Sequence, residues 1–353
     1  MILWKSYLKL FTLKTMNFLI YFSGIYSFLN KIVKDNGVYI LMYHRIGDTN
    51  DKYYYQNISV KKEELIKQIR FFKRNYRCIS LPDAISMLEG KDRLEDNYVV
   101  FTFDDGYIDN VIYGKPIFKE FDIYPTIYLT AANLDKGEPL WTEILDEIVA
   151  NCPNLSKCKE VFNISIPTKT LQKHEIYYFS EKLKTIFKET PQKNIMKSIE
   201  EIEAKFKYTH FIKSELMDWE GVISLANSGW TIGSHTMNHI NIAIESKELV
   251  TKELHDSLAL IESKIESSVY HFSYPFGKKQ HFNEYAIEVV KKYYSSAVTA
   301  MDGINKCGDD LFRLKRVMIA NHYSLIDIKV KLLRIKLKDF LSGKKSSDVC
   351  TTL

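Results

Sequence analysis

Short apolar segments alternate with amphipathic segments along most of this chain, and this alternation limits its fold more than any other feature. Apolar runs such as VYILM at residues 38–42 and YVVFTF at residues 98–103 are typical of buried strands. Amphipathic stretches such as residues 61–73 and 247–265 are typical of helices packed on a sheet. Repeated strand–helix units predict a parallel sheet, open or closed into a barrel. In both arrangements the chemistry lies at the carboxyl ends of the strands.

One long segment interrupts this alternation. Residues 142–213 are rich in Lys and Glu, with helical patterns at 176–187 and 195–206. We interpret this segment as a helical insert or lid. Further strands are predicted after it, at residues 230–234, 270–274 and 295–299. A final helix is predicted to start at Ser324, where Asp327 three residues later completes a capping-box pattern.

The first 34 residues contain five Lys and no acidic residue. Their longest apolar part, FLIYFSGIYSFL at residues 18–29, is shorter than the roughly 20 residues of a membrane-spanning helix. A basic, aromatic-rich helix can lie on an anionic membrane surface, or it can pack its apolar side on the domain. A signal or anchor segment is a third alternative.

Overall composition excludes several classes of protein. The chain has 353 residues, of which 46% are hydrophobic, so it is not wholly disordered. Its net charge is only +5, with Lys and acidic residues intermixed along most of the chain. This small positive excess gives no reason to expect nucleic-acid binding.

Two carboxylates directly follow one of the predicted strands. Asp104 and Asp105 come after the run at residues 98–103, and Gly106 lets the backbone turn there. The two side chains can therefore enter one site from different angles, where one binds a metal ion and the other holds a proton. A plain Asp-Gly turn without function has the same pattern.

Two histidines follow the strand predicted at residues 230–234. On a helical turn, His235 and His239 would lie on one face about 6 Å apart, within reach of one divalent ion. Together with an Asp they make a three-ligand set, which leaves a coordination position for water as in catalytic zinc sites. The sequence therefore indicates metal-dependent hydrolysis, with a neighbouring carboxylate as general base.

Four segments resemble motifs of the polysaccharide deacetylase family, carbohydrate esterase family four. Three of them occur in the family's order: FTFDDG at 101–106, SHTMNH at 234–239 and FSYPFG at 272–277. LMYHR at residues 41–45 resembles the opening strand of many bacterial members of the poly-N-acetylglucosamine-deacetylase type. The resemblance covers roughly residues 37–320 outside the insert. It implies a distorted (β/α)₇ barrel that removes acyl groups from a glycan with the help of a metal ion.

The resemblance also implies roles for the matching residues. It makes Asp104 the general base. The metal ligands that it implies are Asp105, His235 and His239, and the ion is zinc in the first place, or cobalt, nickel or manganese. The groove residues that it implies are Tyr274, Pro275 and Phe276. Trp141 lies outside these motifs and is a further candidate for the mouth of the groove, with an aromatic ring that packs against the insert as the alternative.

The sequence departs from the family pattern at two functional positions. The third motif often carries an Arg that orients the base, and Ser273 stands at that place. Arg313 or Arg316, beyond the last predicted strand, can supply the cation instead, and we take Arg316 as the catalytic candidate. The family's Leu-x-His motif for the catalytic acid is not recognisable. His44, after the first strand, is our candidate for the acid or for a residue that supports the site indirectly, with His322 as the weaker alternative.

These observations predict an N-terminal helix at 1–36, a deacetylase-like barrel at 37–323 with its insert, and a C-terminal helix and tail at 324–353. The expected activity is removal of N-acetyl groups from N-acetylhexosamine units of a surface polysaccharide or its precursor. The alternatives are an O-acetyl esterase or deformylase acting on a sugar, and a glycan-binding relative without catalysis. Besides the glycan we expect membrane-surface contact through residues 1–34 and no nucleic acid. A bacterial cytoplasmic or membrane-associated location is favoured over secretion.

Overall fold

The computed structural model describes residues 2–33, 36–47, 58–151, 161, 173–206, 213–319 and 323–342. The strands in these residues are β1 (Gly37–Tyr43), β2 (Arg45–Ile46), β3 (Ser59–Val60), β4 (Arg77–Cys78), β5 (Asn97–Phe103), β6 (Thr126–Leu129), β7 (Thr231–Ser234), β8 (His271–Ser273), β9 (Ser296–Val298) and β10 (Arg316–Met318). The first helices are α1 (Ile2–Phe22), α2 (Ile25–Ile32), α3 (Lys62–Asn75), α4 (Leu81–Leu88), a π-helical turn (Asn110–Gly114), α5 (Lys115–Glu120) and α6 (Ala131–Lys136). They are followed by α7 (Trp141–Asn151), α8 (Lys173–Phe187), α9 (Gln192–Phe206), α10 (Trp219–Ala226), α11 (Lys247–Ile265), α12 (Glu284–Tyr293) and α13 (Leu325–Leu341).

Seven parallel strands form the central sheet in the order β10-β1-β5-β6-β7-β8-β9, and β4 pairs beside β5. The order around the sheet is the order along the chain, with β10 returning to pair with β1. A bridge between Val298 of β9 and Leu314, two residues before β10, brings the two ends of the sheet together. The sheet is therefore a nearly closed (β/α)₇ barrel, and the predicted fold class is confirmed.

The apolar runs of the sequence form the buried core, much of it between the sheet and the helices that surround it. All seven residues of β1 are buried, as expected for a parallel strand that is covered on both faces. Aromatic rings make up much of the core: Tyr43 stacks on Phe103 with their ring centroids 5.3 Å apart, and Trp230 packs against Phe103 at 5.5 Å. This packing fixes β5 and β7, the two strands that precede the candidate site.

Local signals explain where several helices begin. The Asp218 side chain accepts a hydrogen bond from the Gly221 amide at the start of α10. Ser324 and Asp327 form the predicted capping box at the start of α13. The sequence analysis did not predict β10, because Arg313, Lys315 and Arg316 interrupt the apolar pattern there.

Helices α7, α8 and α9 come between β6 and β7 in the sequence. They share an apolar core of their own, separate from that of the barrel. The two helical patterns noted in the sequence fall within α8 and α9. Phe276, which follows β8, packs against this second core and so connects it to the barrel. The helices are therefore positioned above the carboxyl ends of the strands.

Helix α1 lies along α13, at the other end of the sequence. Asn17 Nδ2 donates a hydrogen bond to Asp327 at 2.7 Å, and Arg334 donates to Asn17 Oδ1 at 2.7 Å. Lys329 donates to the Tyr21 hydroxyl at 3.0 Å. Among the described helices, none has both the length and the apolar character that crossing a bilayer requires.

Candidate active site

Four of the predicted side chains meet at the carboxyl edge of the barrel. Asp104 and Asp105 follow β5, and His235 and His239 follow β7. Asp105 Oδ1 lies 3.6 Å from His235 Nε2 and 3.4 Å from His239 Nε2. The three side chains are buried, and their ligand atoms all lie within 4.8 Å of one another. The fold thus joins two stretches that are far apart in sequence.

The polar atoms of this cluster suit a divalent cation. Asp105 Oδ1 is buried with no hydrogen-bond partner among the described residues, a situation that costs about 1–3 kcal/mol. Burial, with Asp104 and Glu143 nearby, raises the pKa of Asp105 well above its usual value. Burial also lowers the pKa of His235 and, still further, that of His239, so both imidazoles are neutral at pH 7. Neutral imidazoles and one carboxylate are the donors that zinc takes in catalytic sites.

A backbone carbonyl sets the orientation of the first imidazole. His235 Nδ1 lies 2.7 Å from the carbonyl oxygen of Ser273, which is only an acceptor, so Nδ1 carries the proton and donates. The lone pair of His235 is therefore on Nε2, the atom that faces Asp105. Such an outer hydrogen bond is the usual way in which proteins orient a metal-binding histidine.

The histidine pair does not lie on a helical turn, contrary to our expectation. The segment after β7 is an irregular loop in which Thr236 and His239 have φ values of 68° and 52°. The ring centroids of His235 and His239 are nevertheless 5.0 Å apart. Trp141 Nε1 donates to the His239 carbonyl at 3.2 Å and helps to hold this loop. Contacts from the insert therefore replace helical geometry in placing the second imidazole.

Asp104 is held by a buried arginine. Arg316 Nη1 and Nη2 donate to the two Asp104 oxygens at 2.7 Å each, and Arg316 Nε donates to the Thr299 carbonyl at 2.8 Å. Burial by itself would raise the pKa of Asp104, but the guanidinium outweighs it, and the pKa lies well below its usual range. Of the two arginines proposed from the sequence, the structure places Arg316 beside Asp104. Arg313 instead pairs with Glu284 near the surface.

A cavity of about 300 Å³ opens onto these residues. Besides the residues described above, its walls include His44, Phe276 and, from the helices between β6 and β7, Glu143, Lys184 and Lys188. Burial lowers the pKa of His44 to about 4, with partial compensation by Asp104, so this imidazole is neutral at pH 7. His322 lies outside the described residues. A larger depression of about 1020 Å³ near Tyr124 has no such set of ligands among the described residues.

Three of the four predicted groove residues do not line this cavity. Trp141 is 3% exposed and belongs to the core of the inserted helices. Tyr274 is fully buried, and its hydroxyl donates to the Phe312 carbonyl at 3.0 Å. Pro275 is buried as well, and only Phe276 reaches the cavity wall. Trp141 therefore follows the alternative of packing against the insert, whereas Tyr274, expected in the groove, packs in the main core of the barrel.

Sequence reasoning missed Lys188, which lies just after α8. Its Nζ is 5.0 Å from the centre of the Phe276 ring, at the wall of the cavity. Nothing in the sequence distinguishes this lysine from its neighbours, because the whole segment is rich in lysine.

A sequence model described as Polysaccharide deacetylase matches residues 91–298, which is more than half of the chain. The chain belongs to the polysaccharide deacetylase family. The matched range contains Asp104, Asp105, His235 and His239, and it ends before Arg316. YxkH of Bacillus subtilis (strain 168) is 28% identical over 110 residues, which are 31% of this chain and 37% of that protein. The match therefore spans little more than a third of this relative.

Solved structures with the same fold include three deacetylases or related proteins. Streptococcus pyogenes deacetylase PplD in complex with acetate aligns with a TM-score of 0.56 and 16% identity, over 86% of this chain and 99% of that chain. IcaB from Ammonifex degensii aligns with a TM-score of 0.57 and 15% identity, over 86% of this chain and 98% of that chain. The de-N-acetylase from Aggregatibacter actinomycetemcomitans aligns with a TM-score of 0.55 and 19% identity, over 83% of this chain and 99% of that chain. At these identities the likeness supports the barrel fold of this chain and nothing beyond it.

Proposed function

We propose that this protein is a metal-dependent hydrolase that removes N-acetyl groups from N-acetylhexosamine units of a surface polysaccharide or its precursor. The observation that carries the proposal is the buried group of Asp105, His235 and His239, with an ion-paired carboxylate next to it in sequence. Zinc suits this donor set best, and cobalt, nickel and manganese take similar ligands. The de-N-acetylase among the structural neighbours makes N-acetyl groups the first substrates to test.

The proposed roles follow from the contacts of each side chain. A divalent ion held by Asp105, His235 and His239 would lower the pKa of a water molecule and polarise the acetamide carbonyl. Asp104 would accept a proton from that water as general base. Arg316 keeps Asp104 ionised at neutral pH and fixes its direction through two hydrogen bonds. Because the pKa of Asp104 is low, proton transfer to it requires a water that is already acidified.

His44 is the proposed source of the proton for the leaving amine. It lines the same cavity as Asp104, but its pKa of about 4 makes it neutral at pH 7 before the reaction. The proton that reaches the amine would therefore be the one that Asp104 takes from water, with His44 passing it on. Phe276, whose ring centroid is 4.7 Å from that of His239, offers an apolar wall for the sugar or the acetyl methyl group.

We also propose that residues 142–213 form a lid on the barrel of residues 37–323. The lid would contribute Glu143, Lys184 and Lys188 to the cavity. The flanking parts, residues 1–36 and 324–353, are proposed as separate helical additions.

The experiment is a mass-spectrometric screen of acetylated oligosaccharides incubated with the protein and zinc. We expect the loss of acetyl groups, with acetate and free amine appearing in equal amounts. Acetate without amine would indicate an O-acetyl esterase, and formate would indicate a deformylase. Binding of an oligosaccharide with no product at all, even with added metal, would overturn the proposal in favour of a non-catalytic relative.

A further inference from the structure

Helix α1 contacts the protein through one face that includes Leu13 and Asn17, and it carries further apolar side chains on its outer face. Asn17, which faces α13, is 4% exposed, whereas Phe11, Phe18 and Phe22 are 63%, 54% and 62% exposed. Spacings of seven and four residues place the three rings on one face of the helix, turned away from Asn17. Packing on the domain, one alternative of the sequence analysis, accounts for the inner face of α1 but not for these three exposed rings.

Helix α2 continues the same arrangement. Ile25, Phe28 and Ile32 are 50%, 65% and 56% exposed, and none of the residues of α2 is buried. We call the exposed apolar residues of α1 and α2 the N-terminal apolar surface: Phe11, Met16, Phe18, Leu19, Phe22, Ile25, Phe28 and Ile32. These are eight of the fifteen exposed large apolar residues in the described part of the chain, so the exposure is concentrated rather than scattered. A concentrated apolar patch marks a contact surface.

The charge around this surface identifies the kind of partner. The first 34 residues carry five Lys and no acidic residue, and Lys14 and Lys31 are exposed beside the apolar side chains. A second copy of the chain would bring lysines against lysines. An anionic lipid surface complements both features, because it accepts apolar side chains to a shallow depth and attracts the lysines. Phenylalanine, tyrosine and lysine together are also typical of helices that lie in the membrane interface.

From this geometry we infer that α1 and α2 dock the protein on an anionic membrane surface, with the N-terminal apolar surface inserted among the headgroups. Helix α13 supplies the rigid support, through the hydrogen bonds of Asp327 and Arg334 to Asn17. The inference does not depend on the activity of the barrel, since it uses no residue of the candidate active site.

Vesicle flotation with the full-length protein tests this inference. Vesicles of phosphatidylcholine alone are compared with vesicles in which roughly a quarter of the lipid is phosphatidylglycerol, at low and high salt. We expect binding to the anionic vesicles that weakens with salt, and much weaker binding to the neutral ones. The combined variant Phe18→Ser, Phe22→Ser and Phe28→Ser should lower the affinity for anionic vesicles by at least about tenfold.

Two further variants serve as a control for the apolar surface and as a test of the role of the lysines. Ile112→Ser with Tyr270→Ser removes side chains of similar exposure, 54% and 57%, outside the N-terminal helices, and should leave vesicle binding unchanged. Lys14→Glu with Lys31→Glu keeps the apolar surface and should abolish the preference for anionic lipid. Circular dichroism checks that each variant is folded. Wild-type protein that ignores anionic vesicles would overturn the inference, as would a wild-type dimer that the triple Phe variant dissociates without any vesicle binding.

Discussion

Arg316, from the last strand of the barrel, holds Asp104 in a two-point ion pair, with both N–O distances at 2.7 Å. The two residues are 212 positions apart in sequence. Ser273, which stands where the family often has an arginine, joins the pair by accepting a hydrogen bond from Arg316 Nη2 at 3.0 Å. The positive charge beside the proposed base is therefore supplied from β10 in place of the third motif.

Replacing Arg316 by methionine should leave a buried carboxylate without its cation. We expect the free energy of unfolding at pH 7 to fall by about 3–5 kcal/mol, the usual cost of breaking a buried pair. Urea unfolding measures this change. Arg313→Met is the matched control, because Arg313 pairs near the surface, where such contacts contribute about 0–1 kcal/mol.

The pH dependence of stability should also change sign in Arg316→Met. In the wild type the pKa of Asp104 is lowered, so its stabilising contribution is present above the unfolded pKa of about 3.9 and is lost only as the pH falls through the still lower folded value. Between about pH 5 and pH 7 this contribution is flat. In the variant, burial raises the pKa of Asp104, so stability should increase as the pH is lowered through that range. Equal pH slopes in the two proteins would contradict the assigned pair.

Ser273→Ala should spare the metal site while weakening the base. The variant loses the hydroxyl that contacts Arg316, a change worth about 1 kcal/mol, so we expect a kcat reduction of less than about tenfold. The metal content should not change, because His235 Nδ1 donates to the backbone carbonyl of Ser273, which alanine retains. Loss of zinc in this variant would show that the hydrogen bond does not orient His235 as described.

Metal binding should release protons, and more of them at lower pH. Burial and the neighbouring Asp104 and Glu143 raise the pKa of Asp105 well above its usual value, so this carboxyl keeps its proton to a higher pH than an ordinary aspartic acid does, while both imidazoles are neutral at pH 7. The incoming ion displaces that proton, and metal affinity therefore falls as the pH falls through the raised pKa. Titration calorimetry in two buffers of different ionisation enthalpy measures the release. A metal affinity that is constant between about pH 5 and pH 7 would contradict a protonated Asp105.

Trp141→Phe should weaken metal binding without disturbing the ligands directly. The variant keeps an aromatic ring in the core of the inserted helices but loses the indole N–H that holds the His239 carbonyl. We expect the metal Kd to rise by up to about tenfold, the value of one hydrogen bond. Trp219→Phe is the control, since it loses a similar hydrogen bond to Asp135 at the surface. Equal metal affinity in both variants would indicate that the loop of His239 needs no support from the insert.

Much of the fold was predictable from the sequence because its signals are local. The buried runs of β1 and β5 and the capping box of Ser324 and Asp327 each lie within a few residues. The barrel and the side chains at its carboxyl edge follow from them. Asp104 and Asp105 could be grouped with the two histidines, which are distant in sequence, because both pairs follow predicted parallel strands and match motifs of one family.

The features that the sequence analysis missed depend on distant contacts. Strand β10 has three residues and exists because it pairs with β1, so no pattern distinguished Arg316 from Arg313. The loop of His239 takes its shape from Trp141 and from backbone conformations that no periodicity encodes. Lys188 reaches the cavity only because its helix folds back over the barrel. Each of these positions is set by tertiary packing.

The metal content of purified, zinc-loaded and desalted protein tests the central claim most directly. Inductively coupled plasma mass spectrometry should find about one zinc per wild-type chain, almost none in His235→Ala or Asp105→Asn, and a full complement in an inactive Asp104→Asn. An unchanged zinc content in His235→Ala, or a wild-type rate of acetate release in Asp104→Asn, would contradict the account.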